Sequence, residues 1–201
     1  MDARIDEVIE AWFGPGDVPS AETYQRWFTR SSVVDDELRT KFGSLHADAV
    51  AGTLDRWRET VRGELALIIL LDQMSRNLYR DDRRAFENDD VALSLARDLA
   101  RSSSRARELT PYQRMVALIP FEHAENREAQ AEGVAAFSTL VDEVRDNHPA
   151  AAEMIAGTLT YAEKHRDIVE KFGRFPHRNA VLGRTSTVEE LAFLETPGSR
   201  F

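Results

Sequence analysis

Glu64-Leu65-Ala66-Leu67-Ile68-Ile69-Leu70-Leu71-Asp72-Gln73-Met74-Ser75-Arg76-Asn77-Leu78-Tyr79 is the stretch on which the fold turns. Residues 65–71 are apolar without interruption, so a helix here must be covered on nearly every side. The pattern runs on through Met74 and Leu78 with no Gly or Pro, beyond a strand's usual length, and predicts a helix over about 64–79. Asp72, Arg76 and Arg80 then fall at i, i+4 and i+8 and share one face. A carboxylate so close to an all-apolar helix is itself largely buried and needs a cation or donors beside it. These groups read in two ways: as an i,i+4 pair at a solvated helix end, or as the polar end wall of a pocket in which Asp72, Arg76, Asn77 and Arg80 reach a ligand.

A helix buried all round needs partners, and the flanking sequence supplies amphipathic ones. Toward the N-terminus, Asp2 caps a helix whose face is Ile5, Val8, Ile9, Trp12 and Phe13, ended by Gly14-Pro15-Gly16. Ser20 caps a short helix with Tyr24 and Trp27, and Ser32 caps one running through Leu38, Phe42 and Leu45 to about Gly52. Leu54 and Trp57 lie in a connector before Gly63. Toward the C-terminus, Phe86 to Arg101 is predicted as a helix with Val91, Leu95 and Leu99 in line, followed by a Ser102–Ser104 loop. Thr110-Pro111-Tyr112-Gln113 has the cap, N1 proline and N3 glutamine of a helix start, and Pro120 should kink or break that helix. A helix through Phe137 and Val141, a long one over about 150–172 and a final one after Ser186-Thr187-Val188-Glu189-Glu190 complete the chain. No strand pattern and no dividing linker appear. The expectation is an all-α fold of about eight or nine helices forming a single domain over residues 1–201.

A chain of 201 residues with 30% charged residues and net charge −9 disfavours general nucleic-acid binding, because the molecular field repels phosphates. The absence of cysteine excludes disulfides, thiolate metal sites and cysteine nucleophiles, and it suits a reducing cytoplasm. The first residues lack the basic and apolar regions of a signal peptide, and the longest apolar run is too short for a bilayer, so no membrane association is expected.

Three further stretches carry chemistry. Pro120-Phe121-Glu122-His123-Ala124-Glu125 holds a glutamate beside a histidine, suited to acid–base work. It has Glu-x-x-Glu but not the Glu-x-x-His of carboxylate-bridged metal bundles, so no metal and no cofactor is expected. His165, in Tyr161-Ala162-Glu163-Lys164-His165-Arg166-Asp167, lies on the apolar stripe of its helix, as either a hydrogen-bonded core residue or a tuned acid–base. Phe172-Gly173-Arg174-Phe175-Pro176-His177-Arg178-Asn179-Ala180-Val181-Leu182-Gly183-Arg184 has no periodicity and is dense in donors. Between residues 164 and 184 the bases are Lys164, Arg166, Lys171, Arg174, Arg178 and Arg184, against only Asp167 and Glu170. That island either binds an anion or ties itself to acids elsewhere in the fold. Phosphate loops, dinucleotide fingerprints and nucleophile elbows are absent from the sequence.

In order along the chain, Leu71-Asp72-Gln73 with Arg76-Asn77, Pro120-Phe121-Glu122-His123 with Glu125, His165-Arg166-Asp167, and Gly173-Arg174-Phe175-Pro176-His177-Arg178-Asn179 with Leu182-Gly183-Arg184 resemble the bacterial domain-of-unknown-function family 924. The chain departs from the family's usual pattern at Met74-Ser75, where an aromatic and Pro are usual, and at Val188, where Pro is usual. The resemblance implies an all-α, tetratricopeptide-like right-handed helical array and no established reaction. Three readings follow. In the first, a cytoplasmic binding module takes a small anionic ligand or acidic peptide into a pocket closed by residues 172–184, with Asp72, Arg76, Asn77, Arg80, Glu125, Arg166, Arg174, Arg178, Asn179 and Arg184 as contacts. In the second, a metal-independent enzyme uses Glu122, His123, His165 and His177. In the third, the polar motifs form one salt-bridge network that fixes the packing, within a monomer or a homodimer.

Overall fold

The computed structural model describes residues 2–199, and among these every regular element is a helix. Asp2 caps α1 (Ala3–Phe13) by accepting from the Arg4 amide. Ser20 caps α2 (Ala21–Phe28). The cap of α3 (Ser32–Val50) is Ser31, one residue earlier than expected, because its hydroxyl accepts from the Val34 amide while Ser32 is already helical.

A 3-10 turn over Asp55–Glu59 buries Trp57, and Thr60 then caps α4 (Val61–Ile68). Gly63 is therefore inside the helix and not in the connector. It is needed there for close approach, since a Cβ at Gly63 would overlap the backbone carbonyl of Trp57. Gly63→Ala is expected to lower stability by about 1–3 kcal/mol. The readout is the urea midpoint at unchanged m, and an unmoved midpoint would mean that the Trp57 turn gives way freely.

α4 runs without a break through a π-helical stretch, Ile69–Met74, into α5 (Ser75–Leu78). The expected 64–79 helix is thus present, wider in its middle. π-turns free carbonyls from the regular ladder. Here the Ser75 hydroxyl donates to the carbonyl of Leu71 at 2.7 Å, with Leu70 at 3.3 Å, and accepts from His46 Nε2 at 2.8 Å. α1, α3, α6 (Asp89–Ala100) and α8 (Pro111–His123) pack around this helix, and Leu65 to Leu71 are all 2% exposed or less.

Residues 86–88 depart from the predicted helix. A 3-10 turn over Arg83–Ala85 precedes α6 (Asp89–Ala100), whose buried face is Ala92, Leu93, Leu95, Ala96 and Leu99, while Val91 is exposed. Phe86 is drawn out of the helix to face Arg76 and Arg178. The expected Ser102–Ser104 loop instead runs into one helical turn, α7 (Ser103–Ala106). α8 (Pro111–His123) carries the predicted capping box and continues three residues past Pro120. Its end is fastened by Gln130, whose side-chain amide donates to the carbonyls of Phe121, Glu122 and Ala124 at 2.8–3.1 Å.

α9 (Arg127–Val144) and α10 (Pro149–Phe172) pack along each other. α10 stops at Gly173, which takes the left-handed φ of 72° that glycine tolerates best. The following loop has its own small core. Phe175, fully buried, meets Ile168 and Val169, with Phe172 and Phe193 around them. A 3-10 turn over Pro176–Arg178 leads on to α11 (Val188–Leu194), which begins with the predicted capping box of Thr187 and Glu190. Among the described residues, no helix is long and apolar enough to cross a membrane.

Candidate functional site

The π-turn sets Asp72 at zero exposure beneath the end of α8. His123 Nδ1 donates to Asp72 Oδ1 at 2.7 Å, and Arg76 Nη1 lies 3.4 Å from the same oxygen. Burial alone would raise the Asp72 carboxyl, but Arg76 and His123 beside it hold it well below the usual carboxylate range. Arg76 also makes a two-pronged pair with Asp89, at 2.7 and 2.9 Å, and donates to the Ala85 carbonyl at 2.9 Å. Asp89 opens α6 and so serves both as a first-turn acid and as the counter-ion of a buried arginine.

The same centre holds titratable groups with opposite tendencies. Glu122 is 6% exposed, and its Oε1 has no hydrogen-bond partner among the described residues. Burial and the nearby Asp72 charge push its carboxyl well above the usual value. His165 Nδ1 donates to the Tyr161 carbonyl at 2.8 Å and stands 3.7 Å from Glu122 Oε2. Burial lowers His165 to about 3, and burial with the Arg178 charge lowers His177 to about 4. Burial also lowers His123, against the pull of Asp72. All three imidazoles are neutral at pH 7.

Arg178 belongs to the loop but reaches this centre. Its guanidinium lies between the rings of Phe86 and Phe175, 4.6 Å from each centroid. Nη1 donates to the His123 carbonyl at 3.0 Å and to Asp89 at 3.2 Å. Burial and the neighbouring Arg76 lower its pKa to about 10, so it remains a cation. A cleft of about 290 Å³ opens beside it, with Phe86, Asp89, His123, Glu125, Arg178 and Leu182 in its walls and Arg83, Glu87 and Asp90 also lining it. A smaller cavity of about 150 Å³ between α6, α8 and α9 is more apolar and contains the Arg114–Glu143 pair, at 2.7 Å. It meets none of the groups just described.

A family model, that of the "bacterial protein of unknown function (DUF924)", matches residues 8–198. The chain belongs to this family. Among solved structures, a protein of unknown function from Agrobacterium tumefaciens, ATU0120, is similar at 31% identity and a TM-score of 0.72, over 96% of this chain and 97% of that one. No curated protein matches.

Of the residues that the family motifs single out, the fold brings Asp72, Arg76, Glu122, His123, Glu125, His165, His177, Arg178 and Arg184 around one region. Arg184 pairs with Glu125 through both guanidinium ends, and Glu125 also accepts from the Phe175 amide at 2.7 Å. Asn179 and Arg174 turn instead to Glu190, fastening the loop to α11. Asn77 and Arg80 both go to Asp35 on α3. Arg166 pairs at the surface with Asp167, at 2.8 Å. The cleft has Arg178 and His123 in its walls, but neither His165 nor His177. Phe86, Asp89, Glu190 and Gln130 were not singled out from sequence. Asp89 and Asp35 are both first-turn acids of their helices, and nothing local distinguishes such an acid from one that also meets a distant arginine.

Proposed function

We propose that the protein binds a small anionic ligand in the 290 Å³ cleft, with the loop at 172–184 as one wall. The observation that supports this is the state of Arg178. It is 6% exposed, yet its Nε has no acceptor among the described residues, and Nη2 makes no hydrogen bond among them. A buried donor left without an acceptor costs about 1–3 kcal/mol, which an anion in the cleft would relieve. The surrounding carboxylates narrow the ligand class. Asp89 and Glu125 already face arginines, Glu87 lies 3.2 Å from Arg83, and Asp90 also lines the wall, so the cleft carries no net positive charge. That balance suits a single carboxylate better than a phosphate or polyanion, and the volume suits a metabolite better than a peptide.

Thermal-shift and calorimetric titration with a panel of small carboxylates tests this. A carboxylate at 100 times its Kd is expected to add about 2.7 kcal/mol of stability, and Arg178→Met should abolish that gain. No stabilisation by any member would remove the proposal.

A second reading is favoured by one set of facts: Arg76, Arg80, Arg174 and Arg184 each already face a carboxylate within the fold. On that reading the polar motifs fix the helix packing and the chain binds nothing here. The same titration separates the two, because a purely structural network gives no carboxylate-dependent gain.

A further inference from the structure

We infer that His123 is a general base that removes a proton from the carbon next to the carbonyl of a 2-oxo acid held by Arg178, with Asp72 as its positioning residue. This rests on the cleft reading above and adds a reaction class to it.

The tautomer follows from the contacts. Asp72 is fully buried and ionised, so it can only accept, and the proton on the 2.7 Å bond belongs to His123 Nδ1. In the neutral ring Nε2 then carries the lone pair. Nε2 makes no hydrogen bond among the described residues, and the ring lines the cleft with its side chain 20% exposed. A base fixed by a buried carboxylate on one nitrogen and open on the other is the arrangement that general-base catalysis requires. Asp72 is itself fixed by the Gln73 amide, by Arg76 and by the π-turn that carries it.

The rest of the cleft selects the reaction. Its lining contains no Ser, Thr, Tyr, Cys or Lys, so it offers no hydroxyl, thiol or amine nucleophile. Proton transfer from the ligand itself is the chemistry that this lining supports directly. Nε2 takes the proton, and the C–H electron pair becomes a C=C bond as the carbonyl becomes an enolate oxygen. The Arg178 donors offset that negative charge, while the imidazolium keeps its Nδ1–H on Asp72. Return of a proton to carbon restores ligand and base, so no oxidant or second reactant is consumed.

The charges around His123 set its working range. Asp72 and Arg76 face it from the π-turn and α5, Asp89 from α6, His165 from α10, and His177 and Arg178 from the loop, with Glu122 adjacent in α8.

The test is hydrogen exchange of the whole chain with pyruvate and 2-oxobutyrate in D2O, followed by proton NMR. The wild type should replace the protons next to the carbonyl faster than buffer does, and His123→Gln should lose at least about 100-fold of that rate while keeping carboxylate-dependent stabilisation. Asp72→Asn should move the pH profile and shift His123 toward the Nε2–H tautomer in nitrogen-15 NMR, which a merely structural Asp72 would not do. Stabilisation without exchange would overturn the base role and leave the binding reading standing. Absence of both would remove the two together. If His123→Gln does not fold, the nitrogen-15 signal of the wild type decides: a protonated Nε2 at pH 7 overturns the inference.

Discussion

Asp72→Ala is expected to destabilise the protein by about 3–5 kcal/mol, a large part of the total for a domain of this size. The carboxylate is the fully buried centre of a cluster in which His123 and Arg76 both depend on it. Its removal leaves Arg76 with Asp89 as its one carboxylate partner, and it leaves the His123 Nδ1–H without an acceptor in a dry site. The cost is therefore that of stranded charge and donors, not of one lost contact. Urea unfolding at pH 7, followed by circular dichroism, measures it. The double variant Asp72→Leu, Arg76→Met should lose less than Asp72→Ala alone, because removing both members strands less charge. A loss below about 1 kcal/mol for Asp72→Ala would mean that water reaches the site freely.

The ease of reading this fold from its residues varied with the range of the interaction. Caps and stops were legible because they act within four residues. Asp2, Ser20, Thr110 and Thr187 all cap their helices, and Gly173 ends α10. The burial of Asp72 was legible because seven apolar residues precede it. The π-turn was not, since a segment apolar on every side carries no phase from which a change of pitch could be read. Residues 86–88 were misread as helix because Phe86 fits a helical stripe, while its real partners are arginines about ten and ninety positions away. Charge pairing was the least legible. Glu125 and Arg184 are 59 residues apart, and a sequence with many carboxylates and guanidinium groups does not say which of them meet. Ser75 makes the same point: it supplies the hydroxyl that binds the carbonyls loosened by the π-turn and receives His46.

Acidification should unfold this protein early, between pH 6.5 and about 4, by a route set by histidines and not by its many carboxylates. Burial depresses His46, His123, His165 and His177, with His165 at about 3 and His177 at about 4 in the folded state. Each has an ordinary value near 6.5 once unfolded. Below that pH the unfolded chain takes up protons that the folded chain refuses, so stability present above pH 6.5 is lost as pH falls toward the folded values. Each such histidine contributes at most about 1.4 kcal/mol per pH unit, so His165 and His177 approach about 3 kcal/mol each by pH 4. Glu122 runs the other way. Its folded carboxyl is raised, so its contribution is present below the unfolded value near 4.5 and is lost as pH rises toward the folded one. Glu64, also raised by burial, acts in the same direction, but four histidines outweigh two glutamates, and the net slope below pH 6.5 is a loss. Asp72, held low by Arg76 and His123, stays ionised in the folded state across this window and adds to the loss only near pH 4, where the unfolded carboxyl begins to take up protons. Urea midpoints taken at half-unit steps from pH 8 to pH 4 measure the effect. Glu122→Gln should steepen the acid limb and flatten the alkaline one, because it keeps the shape of the protonated acid without its titration. His165→Phe should flatten the acid limb. A midpoint that holds constant between pH 7 and pH 5 would mean that the imidazoles around the cleft are solvated, and with them the dry environment on which a neutral His123 base depends.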